Sequence, residues 1–181
     1  MPCCVEREII MDNRFCKDDF VVYGKNGVCF IEDIRTMDFA GEKGEYYVLR
    51  PKSNGNSTVY VPLAKEELVS KMRPVMTKDE IDSLLESAMG KEIEWIDAKN
   101  LRLETFNGIL SGGNSRDLLL LVGCIYMKKQ EKLAAGKRLS STDENILKSA
   151  ERLVEEEFSF ALRCSADRVV SYIKNKLKID E

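Results

Sequence analysis

The chain reads as an α+β protein with its strands first and its helices second. Three observations carry this. Up to about residue 74, short runs of β-branched and aromatic residues alternate with tight-turn signals. From Thr77 onward, apolar residues recur at helical spacing instead. The period changes at Arg73-Pro74, and proline is an ordinary stop for a strand. The expected architecture is a small, strongly bent sheet or barrel followed by a compact helical bundle.

The strands follow in order. Asp19 to Tyr23 is the first, and Gly24-Lys-Asn-Gly27 after it carries Asn-Gly, the strongest short hairpin signal. Val28 to Ile34 is the second strand, and Ala40 to Gly44 is a polar turn. Glu45 to Arg50 is the third, ended by Pro51. Ser53 to Asn56 makes another turn, and Ser57 to Val61 is the fourth strand, closed by Pro62.

Five helices are expected next. Thr77-Lys-Asp-Glu80 is a capping box opening a helix with Ile81, Leu84, Leu85 and Ala88 at core spacing, and Gly90 stops it. Asp97 is the candidate cap of a helix to Leu110, with Phe106, Ile109 and Leu110 inward. Ser111-Gly-Gly-Asn114 breaks it. Ser115 is the candidate cap of a long helix ending near Gly136. Ser141-Thr-Asp-Glu144 reads as a second capping box, followed by Ile146, Leu147, Ala150, Leu153, Val154, Phe158 and Leu162 on one face. Ser165 precedes a last helix with Val169, Val170, Ile173 and Leu177 inward. The domain division is residues 11–76 and 77–181, with 1–10 a disordered leader and Met11 a candidate start.

Composition narrows the chemistry. No apolar run approaches the ~20 residues of a membrane span, and the start lacks the pattern of a signal peptide, so a cytoplasmic protein without membrane contact is expected. The chain has no histidine, which removes the commonest metal ligand and the usual general base. Its six cysteines form no CxxC pair and read as mostly buried thiols. No phosphate loop and no nucleophile elbow is present; Gly112 to Arg116 lies between helices and lacks the required lysine. The expectation is a binding protein, not an enzyme, with no cofactor and no metal. Net charge is −3, but Lys128, Lys129, Lys132, Lys137 and Arg138 face only Glu131, which makes a local basic patch. Such a patch holds phosphates or simply suits a helix C-terminus.

The first half resembles the RNA polymerase-interacting domain shared by the bacterial CarD/CdnL regulators and the transcription-repair coupling factor. The carrying residues are Phe20 to Tyr23, Gly27-Val28, Ile31 to Ile34, Gly41-Glu42, Tyr46 to Leu49, Val59 to Pro62 and Arg73-Pro74. The second half also resembles the regulators, through Trp95, Arg102 with Phe106, Ile109 to Gly112, Leu118 to Val122, Leu139-Ser140, Ala150, Leu153 and Glu156-Glu157-Phe158. This sets the chain with them and apart from the coupling factor, whose motor requires a phosphate loop. There are departures: Gly24 stands where the family usually has proline, Met37 and Tyr60 where some members place arginines, and Gly113 where aspartate is common.

The resemblance implies a Tudor-like β domain that docks on the polymerase β subunit by edge-strand pairing, with Ser57, Thr58, Val59, Tyr60 and Val61 as the candidate edge. It implies a helical domain that meets promoter DNA, without sequence specificity, at the upstream edge of the bubble and so stabilises the open complex. Trp95, the single tryptophan, would wedge into the distorted duplex, whereas by composition alone a lone tryptophan reads as core or domain-interface packing. Lys99, Arg102, Lys137 and Arg138 are the candidate phosphate contacts. A monomer is expected. One rival is an adaptor that binds polymerase or another protein and never touches DNA; a second, set back by the absence of histidine, is an enzyme built on carboxylates.

Overall fold

The computed structural model describes residues 15–39 and 42–177. The leader expected over residues 1–10, the candidate start at Met11, and Ala40 and Gly41 of the expected polar turn lie outside the described residues.

The first half is an antiparallel five-stranded sheet, order β4-β3-β2-β1-β5. The strands are β1 (Phe20–Tyr23), β2 (Val28–Phe39), β3 (Glu42–Pro51), β4 (Val59–Pro62) and β5 (Met72–Pro74). β2 and β3 run well past the lengths expected from the apolar pattern, because their cross-strand ladder continues to Phe39 and Glu42 after the apolar residues end. A short helix, α1 (Glu66–Val69), sits between β4 and β5 and had no apolar period to betray it. Gly24–Asn26 closes the first hairpin as a 3-10 turn rather than a two-residue Asn-Gly turn.

A β-bulge explains how the bent sheet keeps its core. The β2–β3 register shifts between Ile31 and Asp33, leaving Glu32 as the extra residue. Strict alternation would send Ile31 and Ile34 to opposite faces. With the bulge both reach the cluster of Phe15, Val21, Cys29, Tyr47, Leu49, Val61 and Met72. The opposite face of the sheet is also covered near β1. Val22, Val28 and Val48 are buried there, and the Phe20 ring lies 4.7 Å from that of Phe160 in the helical half.

The helices are α2 (Lys78–Ala88), α3 (Lys99–Gly112), α4 (Ser115–Ala134), α5 (Ser141–Leu162) and α6 (Ala166–Leu177). The capping box at Thr77 forms as read, with the Thr77 hydroxyl accepting from the Glu80 amide and the Glu80 carboxylate accepting from the Thr77 amide. Three other caps shift by one residue. Ala98, not Asp97, is the N-cap of α3, because the guanidinium of Arg102 holds the carbonyls of Ile96 and Asp97 and so positions that entry. Asn114, not Ser115, caps α4, because the Ser115 hydroxyl is turned inward to Glu157. Ser140, not Ser141, caps α5 by accepting from the Asp143 amide.

α5 is the central element. Ile146, Leu147, Ala150, Leu153, Val154 and Phe158 are buried with Ile81, Leu85, Phe106, Leu121 and Ile125 in one continuous core. Of the expected α6 core positions, Val169 is buried but Val170 is 41% exposed, so the apolar face of α6 is narrower than its sequence implied.

Where the two halves meet, the backbones approach closely. Gly24 has φ 47° and Gly113 φ 65°. A Cβ on Gly24 would lie 2.6 Å from the Ser111 carbonyl oxygen, and one on Gly113 would lie 2.7 Å from the Gly24 Cα. A proline cannot adopt a positive φ, so Gly24 suits a contact that only glycine permits. Gly24→Ala is expected to destabilise the protein by at least about 1–3 kcal/mol, the cost of a strained non-glycine backbone. Chemical denaturation against wild type measures it.

Candidate functional site

Two exposed surfaces and the joint between them make up the candidate site. The first surface is the β4 edge. β4 pairs with β3 on one side, with Val59 opposite Leu49 and Val61 opposite Tyr47, and it is the last strand of the sheet on the other. Val61 is buried and Val59 partly buried in the sheet core, whereas Tyr60 points the opposite way and is exposed. Ser57 and Thr58, expected as strand residues, precede it. The Ser57 amide and hydroxyl both donate to the Asn54 carbonyl, so this residue completes the turn before β4. The paired edge is therefore Val59, Tyr60, Val61 and Pro62.

The second surface surrounds Trp95. Residues 91–98 link α2 to α3 without regular structure, and Trp95 packs part-buried against the helical core. Its ring meets Phe106 edge-on, with centroids 6.0 Å apart. The Arg102 guanidinium lies 4.4 Å from the indole centroid, and the Lys128 ammonium lies 5.8 Å from it. Cations over an indole face are attracted by its quadrupole and hold the ring in one orientation. Trp95 forms one wall of an apolar groove of about 650 Å³, with Leu119, Val122, Met127 and Ile173 among its other walls. Glu92, Glu94 and Glu131 also line it, so its electrostatics are mixed.

Arg102 does not remain available to phosphate. It is buried, its Nε and Nη2 donate to the two carboxylate oxygens of Asp143 at 3.1 and 3.3 Å, and its Nη1 donates to Ile96 and Asp97 carbonyls. The expected phosphate contact is replaced by a structural one, because a buried guanidinium needs its donors satisfied inside the protein. Arg102 thus steadies Trp95 from below. Asp143 also accepts from the Ser140 hydroxyl at 2.7 Å. Burial pushes the Asp143 carboxyl up, but the hydrogen bonds from Arg102 and Ser140 and the guanidinium charge outweigh it and hold it below the usual carboxylate range.

Lys99 opens α3 and is exposed. Lys137 and Arg138 are exposed in the link between α4 and α5. The Arg102–Asp143 pair brings the Trp95 segment to the start of α5, a few residues beyond Arg138, so the structure ties the tryptophan and the basic link to one end of the bundle.

The cysteines behave as their spacing implied only in part. Cys29 and Cys124 are buried, Cys164 is partly buried and Cys16 is exposed, while Cys3 and Cys4 lie outside the described residues. Burial, with the negative Glu156 nearby, pushes the Cys29 thiol up to about 12, which makes it inert. Among the described residues no cluster of candidate ligands could hold a metal ion, and no helix is long and apolar enough to cross a membrane.

The joint is the part of the site that sequence reading missed. Arg73, Arg152, Glu156 and Glu157 bridge sheet and helices. Arg73, Glu156 and Glu157 were signalled only as members of the recognised runs Arg73-Pro74 and Glu156-Glu157-Phe158, which said nothing of a meeting between them, and Arg152 carried no signal.

A five-stranded sheet that ends on β4 at one side is thus joined to a helical bundle through Arg73 and the buried Glu157. Residues 15–76 match the family model of the CarD-like/TRCF RID domain. Those residues form an RNA polymerase-interacting domain of that type. Comparison with curated proteins finds no match.

The Arg102–Asp143 pair generates a pH-dependent expectation. Asp143→Asn leaves a buried guanidinium without its counter-charge and is expected to cost about 3–5 kcal/mol at neutral pH. Because the folded carboxyl titrates below its unfolded value of about 3.9, its stabilisation is present above that pH and is lost as pH falls through the folded value. Denaturant midpoints of wild type and variant are therefore expected to converge in acid, and a difference independent of pH would contradict this account of the pair.

Proposed function

We propose that the chain is a transcription regulator that binds the RNA polymerase β subunit along β4 and stabilises the open promoter complex by touching upstream DNA with its helical half. The observation that carries the reading is the pairing of two features in one molecule: an open strand edge on a polymerase-interacting domain, and a part-exposed tryptophan held in place by a buried arginine. An open edge offers backbone hydrogen bonds that a partner strand completes, and side chains such as Tyr60 tune the choice of partner. A fixed aromatic ring loses little entropy on inserting at a distorted base step. Lys99, Lys137 and Arg138 contribute phosphate contacts that position the protein without reading sequence. The role is one of binding and not of catalysis: a contact made only in the open state and worth about 1.4 kcal/mol shifts the closed-to-open equilibrium about tenfold.

The acids around the Trp95 groove favour a second reading, an adaptor whose helical half meets protein instead of DNA. Salt dependence separates the two, since only phosphate contacts release condensed counterions.

Two measurements follow. With purified polymerase on a cognate promoter, wild type is expected to lengthen open-complex lifetime. Trp95→Ala is expected to lose that gain while still binding polymerase, and a β4 variant such as Val59→Pro is expected to lose both. No effect of wild type on lifetime would sink the open-complex reading. In the second, Lys137→Ala with Arg138→Ala is expected to weaken DNA-dependent binding and to flatten its salt dependence by roughly one unit of log–log slope for each phosphate no longer neutralised. An unchanged slope would leave the adaptor.

A further inference from the structure

Among the described residues, contacts between sheet and bundle gather on α5 and at the end of α3 with the turn before α4. Arg73 projects from β5, the sheet edge opposite β4. Its Nη1 and Nη2 donate to the two carboxylate oxygens of Glu157 at 2.5 and 2.7 Å, a two-pronged fork. Nη2 also donates to the Ser115 hydroxyl at 2.6 Å and to the Gly113 carbonyl at 2.9 Å. The Ser115 hydroxyl in turn donates to Glu157, and so does the Met76 amide at 3.2 Å. The Glu157 side chain is 3% exposed.

A second anchor lies farther along the sheet. Glu156 accepts from the Val28 amide at 3.1 Å, while Arg152 donates to Glu156, to the Ser53 hydroxyl and to the Lys25 carbonyl. The third is the Gly24–Gly113 backbone contact, and the fourth is Phe20 on Phe160, with the Lys52 ammonium 4.6 Å from the centre of the Phe160 ring.

We infer that Arg73 and Glu157 are positioning residues that lock the sheet and the helical bundle into one rigid body, so that a polymerase held at β4 finds Trp95 at a single fixed place. The physical reason is the form of the contact. A buried ion pair is a poor source of stability compared with apolar packing, because both charges give up water. A planar guanidinium gripping a carboxylate in two places nonetheless defines distance and angle together. The same guanidinium also holds the cap of α3 and the first residue of α4, so three helices are registered against one sheet edge. Contacts at separated points then remove the remaining freedom to rotate. The rigidity stands on these contacts; its use in presenting Trp95 to DNA rests on the proposed function. A rigid bracket presents its second contact at one geometry, whereas a flexible tether dilutes it over the volume it explores.

The experiment is a measurement of residual dipolar couplings on the full chain in a weak alignment medium. In wild type a single alignment tensor is expected to fit both halves. Arg73→Met with Glu157→Leu removes both charges together, which avoids leaving one buried alone. This double variant is expected to keep the chemical shifts of each half away from the joint and to require two tensors. Gly24→Ala, at an independent point of the joint, is expected to do the same. Wild type needing two tensors, or the double variant keeping one tensor in the wild-type orientation, would overturn the lock. With polymerase, the loosened variants are expected to bind with wild-type affinity yet lose most of the wild-type gain in open-complex lifetime; an undiminished gain would overturn the positioning role. If wild type itself gives no gain, the proposed function fails, and the tensors still decide the joint.

Discussion

The molecule depends on what α5 does with its two faces. One face supplies the middle of the bundle core, with Ala150 and Phe158 fully buried. The other presents Arg152, Glu156, Glu157 and Phe160 to the sheet. Helical periodicity makes this possible, since positions 152, 156 and 160 stack at four-residue spacing on one side while the core residues take the other. An acidic pair on a helix facing a sheet would cost desolvation on its own. Here Glu157 is paired with Arg73 and Glu156 with Arg152, which offsets part of that cost. Glu156 is compensated only in part: burial outweighs the Arg152 charge and raises its carboxyl above the usual range.

The same logic organises the Trp95 surface. Arg102 is enclosed by Asp143 and by two carbonyls of the segment that carries the tryptophan, and its guanidinium lies over the indole ring. One side chain therefore sets the entry to α3, joins α3 to the start of α5, and fixes an aromatic ring at the surface. Lys128, itself paired with Glu131, supports the indole from α4. The polar groups that look like ligands for phosphate in a linear reading are divided by the fold into two kinds, one buried and structural, the other exposed at Lys99, Lys137 and Arg138.

Much of the architecture was legible in the chain. Alternation and turn residues marked four strands, and the order of strands then helices followed from the change of period at Arg73-Pro74. Capping boxes and apolar spacing marked all five helices of the second half, and Thr77 was identified as a cap because its signal is local, a hydroxyl and a carboxylate three residues apart. The other caps drifted by one residue because adjacent Ser, Asn and Asp side chains are equivalent by type, and only tertiary partners choose among them: Ser115 went to Glu157 and left Asn114 to cap α4. The bulge at Glu32 and the strand β5 were not legible, since neither leaves a mark in a three- to five-residue window.

The sequence by itself determined the class of fold, the segment that matches a polymerase-interacting domain, and which residue types were available to bind. These are properties of local spacing and of short motifs, which survive in one dimension. Only the tertiary structure decided that β4 is an edge, that Arg102 is occupied, and that Gly24, Arg73 and Glu157 form a joint. Each of those depends on partners far away in the chain, with Arg73 and Glu157 separated by 84 positions. No periodicity encodes such a meeting, because burial and pairing arise only when the sheet and the bundle are packed together.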